Sequence, residues 1–172
     1  PTRPIRMVIP APPGGGTDGL GRMLADRLSA SLGQPVIADN KAGANGLLAS
    51  EMVANATPDG YVLLFSYTAA MVINPGLFTR APDPLKDFEP VAQVGSIGNV
   101  LLASPDLPAN NLAELVAYAK QQPATMSYGS WGIGSGGHLT MESFLHRANL
   151  SMVMVPYKGV PNVVTDLLAG VI

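Results

Sequence analysis

The chain has 172 residues, enough for one domain of ordinary size or two small lobes, and 47% of them are hydrophobic while only 13% are charged. A net charge of −2 removes the basic footprint that nucleic acid or a polybasic membrane contact needs, and neither is expected as a partner. Without cysteine, thiol catalysis, disulfides, Fe–S clusters and thiolate zinc sites are excluded, and two histidines without an acidic cluster make a poor metal centre, so neither a metal nor a cofactor is expected.

Taken in chain order, Ile5 to Pro10 is a short apolar strand, and the loop Ala11 to Gly16 leads into a helix with Leu20, Met23, Leu24, Leu28 and Leu32 on one face. Thr17 reads as the N-cap, Asp18 suits the positive end of the helix dipole, and Gly33 with Pro35 supplies the stop. Val36 to Asp39 is a second strand, Gly43 to Gly46 opens a helix to about Asn55, and Tyr61 to Ser66 is a third strand after the turn Pro58-Asp59-Gly60. Strand, helix, strand, helix, strand is half of a doubly wound parallel sheet.

A Pro-rich loop from Pro75 to Pro90 follows, then two extended apolar runs, Val91 to Val94 and Val100 to Ala103, separated by a glycine-containing crossing. The chain therefore divides into a first lobe, residues 1–97, and a second, residues 98–172. In the second, Asn110 or Asn111 caps a helix to about Gln122, Met126 to Ser130 is a strand, and a Gly-rich loop opens a helix from about His138 to Arg147. Ser151 to Pro156 is another strand, and a last helix spans Asn162 to Ala169.

Two Gly-rich loops carry the chemistry. In Pro12-Pro13-Gly14-Gly15-Gly16-Thr17-Asp18, glycines between a buried strand and a helix N-terminus let backbone N–H groups converge on a carboxylate or phosphate. The same spacing also describes a tight βα turn. It is not a P-loop, because no Gly-Lys-Ser/Thr follows. Gly132-Ile133-Gly134-Ser135-Gly136-Gly137 matches G-x-G-x-x-G in form, but the next strand ends at Pro156-Tyr157-Lys158 without the acid that would hold a ribose. A second loop for an anion or polar ligand, facing the first across a cleft, is the more economical reading. Ser135, His138 and Asp166 can be drawn as a triad, yet neither Ser130 nor Ser135 lies in G-x-S-x-G. His138 reads as a hydrogen-bonding neighbour of the cap, His146 as a surface residue, Met141, Phe144 and Leu145 as core, and Trp131 as a pocket-lining residue.

Together, Pro4-Ile5-Arg6, Pro12 to Asp18, Gly33-Gln34-Pro35-Val36, Asn40 to Ala44, Pro58 to Tyr61, Lys86 to Pro90 and Val155 to Gly159 resemble the Bug (TctC-like) extracytoplasmic solute receptors of tripartite tricarboxylate transport systems. The resemblance implies an α/β, two-lobed periplasmic-binding-protein fold of the type II class, each lobe a βαβ-rich doubly wound sheet. It implies a periplasmic, non-enzymatic receptor, its signal peptide removed, that traps a small organic acid (a mono-, di- or tricarboxylate or an amino acid) between its lobes and delivers it to permease subunits. The alternative from the loops alone is a nucleotide-dependent or hydrolytic α/β enzyme. Carried over by motif, the ligand-binding residues are Pro13, Gly14, Gly15, Gly16, Thr17 and Asp18, with Asp18 ordering the loop, then Ser66 and Thr68 after the third strand, and Ser130, Trp131, Gly132, Ser135, Gly136 and His138 in the second lobe. Trp131 stands where the family more often has a small residue. Family members also run on past Leu167-Leu168-Ala169-Gly170, so the second lobe is expected to be incomplete at its C-terminal end and the 172-residue chain to self-associate.

Overall fold

A computed structural model describes residues 1–122 and 126–172. It contains two compact units, Pro1–Gln93 and Val94–Ile172. Among the described residues no helix is long and apolar enough to cross a membrane.

The first unit is built on β1 (Ile5–Ile9), which pairs in parallel with β2 (Val36–Asn40) on one side and β3 (Val62–Leu64) on the other, giving the order β2-β1-β3. A central strand is covered on both faces, which explains why β1 is apolar at four of its five positions. Ile5 and Met7 pack with Ala25, Leu24 and Leu28 of α1 (Gly16–Leu32), while Arg6, on the opposite face, reaches the sulfur of Met52 in α2 (Leu47–Ala54). Where α1 crosses the end of β1 the backbones come close. A side-chain carbon at Gly21 would lie 2.7 Å from Cδ1 of the fully buried Ile9.

The helical face differs from the one the leucine spacing predicts. Leu20, Met23 and Leu32 are exposed, and α1 buries Asp18, Gly21 and Ala25 against the sheet, flanked by Leu24 and Leu28. Small residues win because the approach at Gly21 leaves no room for larger ones on that line. The N-cap is Gly15, not Thr17, and it caps through its extended backbone without a side-chain bond. Gly33 ends the helix in the left-handed conformation, as its position predicts.

After β3 the chain makes a wide helical turn, Ala69–Ile73, that runs into the short helix α3 (Asn74–Leu77). The composition predicts a loop from Pro75 onward, where the helix in fact continues to Leu77. Pro75 instead occupies the first turn of α3, where its missing N–H costs nothing.

In the second unit, α4 (Leu112–Gln121) precedes β4 (Ser127–Ser130), which pairs in parallel with β5 (Val153–Pro156) across α5 (Gly136–Ala148); α6 (Val160–Leu168) follows. Tyr128, Met141 and Leu145 form its core, with Phe144, Leu150, Met152 and Met154 packed around them. α5 begins two residues before His138. The runs Val91 to Val94 and Val100 to Ala103 are not strands: no described residue forms a ladder with them, and Val91 and Val100 are 85% and 80% exposed. β-branched residues favour a strand only where another strand supplies hydrogen bonds.

Candidate functional site

In an open parallel sheet, ligands bind beyond the carboxyl ends of the strands, where successive connections leave in opposite directions. In the first unit that place lies at the ends of β1 and β3, since the chain passes from β1 to β2 on one side and then to β3 on the other.

The loop after β1 is organised from within by Asp18. One carboxylate oxygen accepts the Gly14 amide at 2.9 Å, and the other accepts Arg22 Nε and Asn40 Nδ2, each at 2.9 Å. Asn40 also donates to the Ala11 carbonyl and accepts Arg22 Nη2, which ties the end of β2 to the loop. Burial alone would raise the Asp18 pKa. The hydrogen bonds from Arg22, Gly14 and Asn40, with the charge of Arg22, outweigh burial and hold it at about 2. The Gly14 amide is therefore engaged inside the protein. The amides of Gly15, Gly16 and Thr17 have no acceptor among the described residues, and they stand at the positive end of α1.

The loops after β2 and β3 close on the same region. A side-chain carbon at Gly46 would meet Pro10, Tyr67 and Ala70 within 3.2 Å. Tyr67 donates to the Pro10 carbonyl at 3.3 Å, and burial pushes its hydroxyl pKa up to about 12, so it is a neutral donor at physiological pH. Ala44 and Asn45 both take left-handed backbone conformations, and Asn74, fully buried, donates to the Asn45 carbonyl at 3.0 Å. Non-glycine residues in that conformation are strained and persist where surrounding contacts enforce them. The Asn45 Oδ1 is buried without a hydrogen-bond partner. Sequence reasoning missed Asn45, Tyr67 and Asn74. Only Asn45-Gly46 carried a local signal, as a dipeptide that favours left-handed turns. Ser66 is half-buried and Thr68 exposed, on the short connection between β3 and the helical turn at Ala69.

In the second unit the Gly-rich loop joins β4 to α5. Ser130 and Ser135 are buried: Ser130 Oγ donates to the Gly132 carbonyl at 3.1 Å, and Ser135 Oγ caps α5 by accepting the His138 amide at 3.2 Å. Both hydroxyls thus shape the loop. The Trp131 ring lies across Gly137, where a side-chain carbon would come within 2.6 Å of it. Gly132 and Gly134 take positive φ, and Gly136 starts the helix. His138 Nδ1 accepts the Gly134 amide at 3.1 Å. Asp166 accepts the Tyr157 hydroxyl at 2.7 Å, so Ser135, His138 and Asp166 do not form a relay.

Neither Gly-rich loop contains an Arg or Lys, and Arg22, four residues after Asp18, is bound to Asp18 and Asn40. What the arrangement offers is backbone N–H groups at helix N-termini together with small hydroxyls. Such groups can bind an anion by hydrogen bonds.

A family model described as the tripartite tricarboxylate transporter family receptor, TctC, matches residues 20–172. Protein BugT of Bordetella pertussis is 40% identical over all of this chain and 53% of its own length. Among solved structures, Rpa4515 of R. palustris with adipate is 35% identical with a TM-score of 0.93, covering 100% of this chain and 58% of that one. MatC from Rhodopseudomonas palustris with bound malate is 29% identical with a TM-score of 0.88, covering 100% of this chain and 59% of its own. The chain spans about half the length of the curated relatives it matches.

Proposed function

The chain belongs to the TctC family of tripartite tricarboxylate transporter receptors, and we propose that it forms part of a periplasmic receptor that captures a small carboxylic acid and delivers it to the permease of its transporter. The observation that carries the proposal is the first Gly-rich loop. Its one acidic side chain, Asp18, is turned inward and paired with Arg22, while the amides of Gly15, Gly16 and Thr17 stay available at a helix N-terminus. Adipate and malate in the two similar structures are carboxylates of the kind such amides accept. In this proposal Gly15, Gly16 and Thr17 donate to the acid directly, with Pro13 shaping the loop and Gly14 held by Asp18. Ser66 and Thr68 complete the first lobe's contacts. Trp131, Gly132 and Gly136 provide those of the second lobe, on a loop shaped by Ser130, Ser135 and His138.

The test is a thermal-shift panel of di- and tricarboxylates on the full-length protein, with NAD(P) and ester substrates alongside. Acid at 100 times its Kd stabilises a one-site receptor by about 2.7 kcal/mol. At roughly 2 to 4 °C per kcal/mol for a protein of this general size, Tm rises by about 5 to 10 °C. Absence of a shift with every acid, or turnover of an ester, would overturn the receptor reading in favour of an enzyme.

A further inference from the structure

Among the described residues, three helices begin with the same local device. In each, the side chain of the third helical residue reaches back to the amide of the residue before the N-cap. In α1, Asp18 accepts the Gly14 amide; in α4, Glu114 accepts the Asn110 amide at 2.7 Å; in α5, His138 Nδ1 accepts the Gly134 amide at 3.1 Å. In α4 and α5 the N-cap side chain completes a reciprocal box, with Asn111 accepting the Glu114 amide and Ser135 accepting the His138 amide.

The three differ in charge. Glu114 is an exposed carboxylate on a helix outside both Gly-rich loops. At the first Gly-rich loop the acid remains, but Arg22 neutralises it at 2.9 Å. At the second loop no acidic residue lies in the first turn of α5, and an imidazole makes the bond. An amide N–H can only donate, so Nδ1 carries no proton and the ring's hydrogen sits on Nε2, the side that faces Glu142 Oε1 at 3.9 Å. Glu142 Oε1 in turn accepts the hydroxyl of the core residue Tyr128.

We propose that His138 is the positioning residue of the second Gly-rich loop: a neutral latch that holds Gly134 without placing negative charge in the first turn of α5, and that releases Gly134 when the imidazole takes up a second proton. The inference rests on the carboxylate-receptor reading for the importance of neutrality. The latch itself rests on the hydrogen bond alone. An acid at this position would make the same bond and oppose an incoming anion. A second proton on the ring turns Nδ1 into a donor facing another donor, and the bond is lost. The titratable groups that face the ring are Glu142 from its own helix and, through Glu142, Tyr128 from β4; among the described residues Glu142 is the one acid within 4.0 Å.

The experiment uses 15N-labelled full-length protein and the variants His138→Gln, His138→Glu and His138→Ala. The Gly134 amide and the His138 ring are followed by NMR from about pH 5 to 8, the range in which imidazoles commonly titrate, and malate and adipate affinities are measured in parallel. The Gly134 signal should move with the same midpoint as the ring, and its hydrogen exchange should accelerate roughly ten-fold in His138→Ala. His138→Gln, a neutral acceptor, should lose the pH response of Gly134 and weaken both acids less than His138→Glu does. His138→Glu should keep Gly134 protected yet weaken both acids about ten-fold. A Gly134 amide indifferent both to ring titration and to His138→Ala would overturn the latch, and equal affinity in His138→Glu and His138→Gln would overturn the role of neutrality. If the wild type binds no carboxylate, the receptor reading fails by itself, and the Gly134 titration still decides the latch.

Discussion

Replacing Asp18 with Asn isolates the charge that orders the first Gly-rich loop. Asn keeps the shape of the side chain and one acceptor oxygen, but it removes the counter-charge of Arg22 and one of the bonds to Gly14, Arg22 and Asn40. The folded-state pKa is about 2 against an ordinary 3.8, and a carboxyl depressed to that extent contributes roughly 2 kcal/mol of stability. Because the folded value lies below the unfolded one, the contribution is fully present above the unfolded pKa and is lost as pH falls through 3.8 toward about 2. At pH 7 the variant should unfold about 4 to 8 °C below the wild type. The two should converge as the pH of the melt is lowered toward the folded pKa. Thermal melts of both proteins at a series of pH values measure this directly, with carboxylate affinity determined alongside. Equal stability at neutral pH, or a gap that persists undiminished in acid, would refute the assignment. A gain in carboxylate affinity would show that the charge faces the ligand instead of the loop.

Gly15 has an extended backbone open to any residue, so Gly15→Val should leave far-UV circular dichroism unchanged while abolishing carboxylate binding; intact affinity would make the loop a turn and nothing more. Gly21→Ala puts a methyl 2.7 Å from buried Ile9 and should cost about 1 to 3 kcal/mol in urea unfolding. An unchanged midpoint would mean that α1 and β1 are less closely packed than described. With Val91, Ile97 and Val100 all at least 80% exposed, the 172-residue chain should sediment as a dimer or larger species. A monomer in sedimentation velocity would count against that expectation.

Features governed by a few adjacent residues could be read directly from the sequence. β1 shows as an unbroken apolar run, Gly33 with Pro35 marks the end of α1, Asn111 three residues before Glu114 marks the start of α4, and the two Gly-rich loops stand out by composition. In each case the decisive energy is local: a cap, a fixed φ, or the period of burial along one segment. The order β2-β1-β3, and with it the side of the sheet that carries the candidate site, came from the strand-helix grammar only as a class of fold, and its register required the paired backbone.

The remainder was decided by residues far apart in the chain. Of the four leucines and one methionine that spacing nominates for the buried face of α1, Leu24 and Leu28 pack there, but the close crossing over Ile9 puts Gly21 and Ala25 at its centre and leaves Leu20, Met23 and Leu32 exposed. Val91 to Val94 and Val100 to Ala103 have strand composition, yet no described strand pairs with them. The position of Asp18 was visible, but its partner Asn40 comes from the end of β2, 22 residues away, and reaches it only because β2 lies beside β1. His138 could be nominated as a neighbour of the cap, whereas its role as acceptor for Gly134 emerges only in the folded loop with its positive-φ glycines. A hydrogen bond depends on distances of a few tenths of an ångström, and such distances are set when elements pack together, after local propensity has done all that it can.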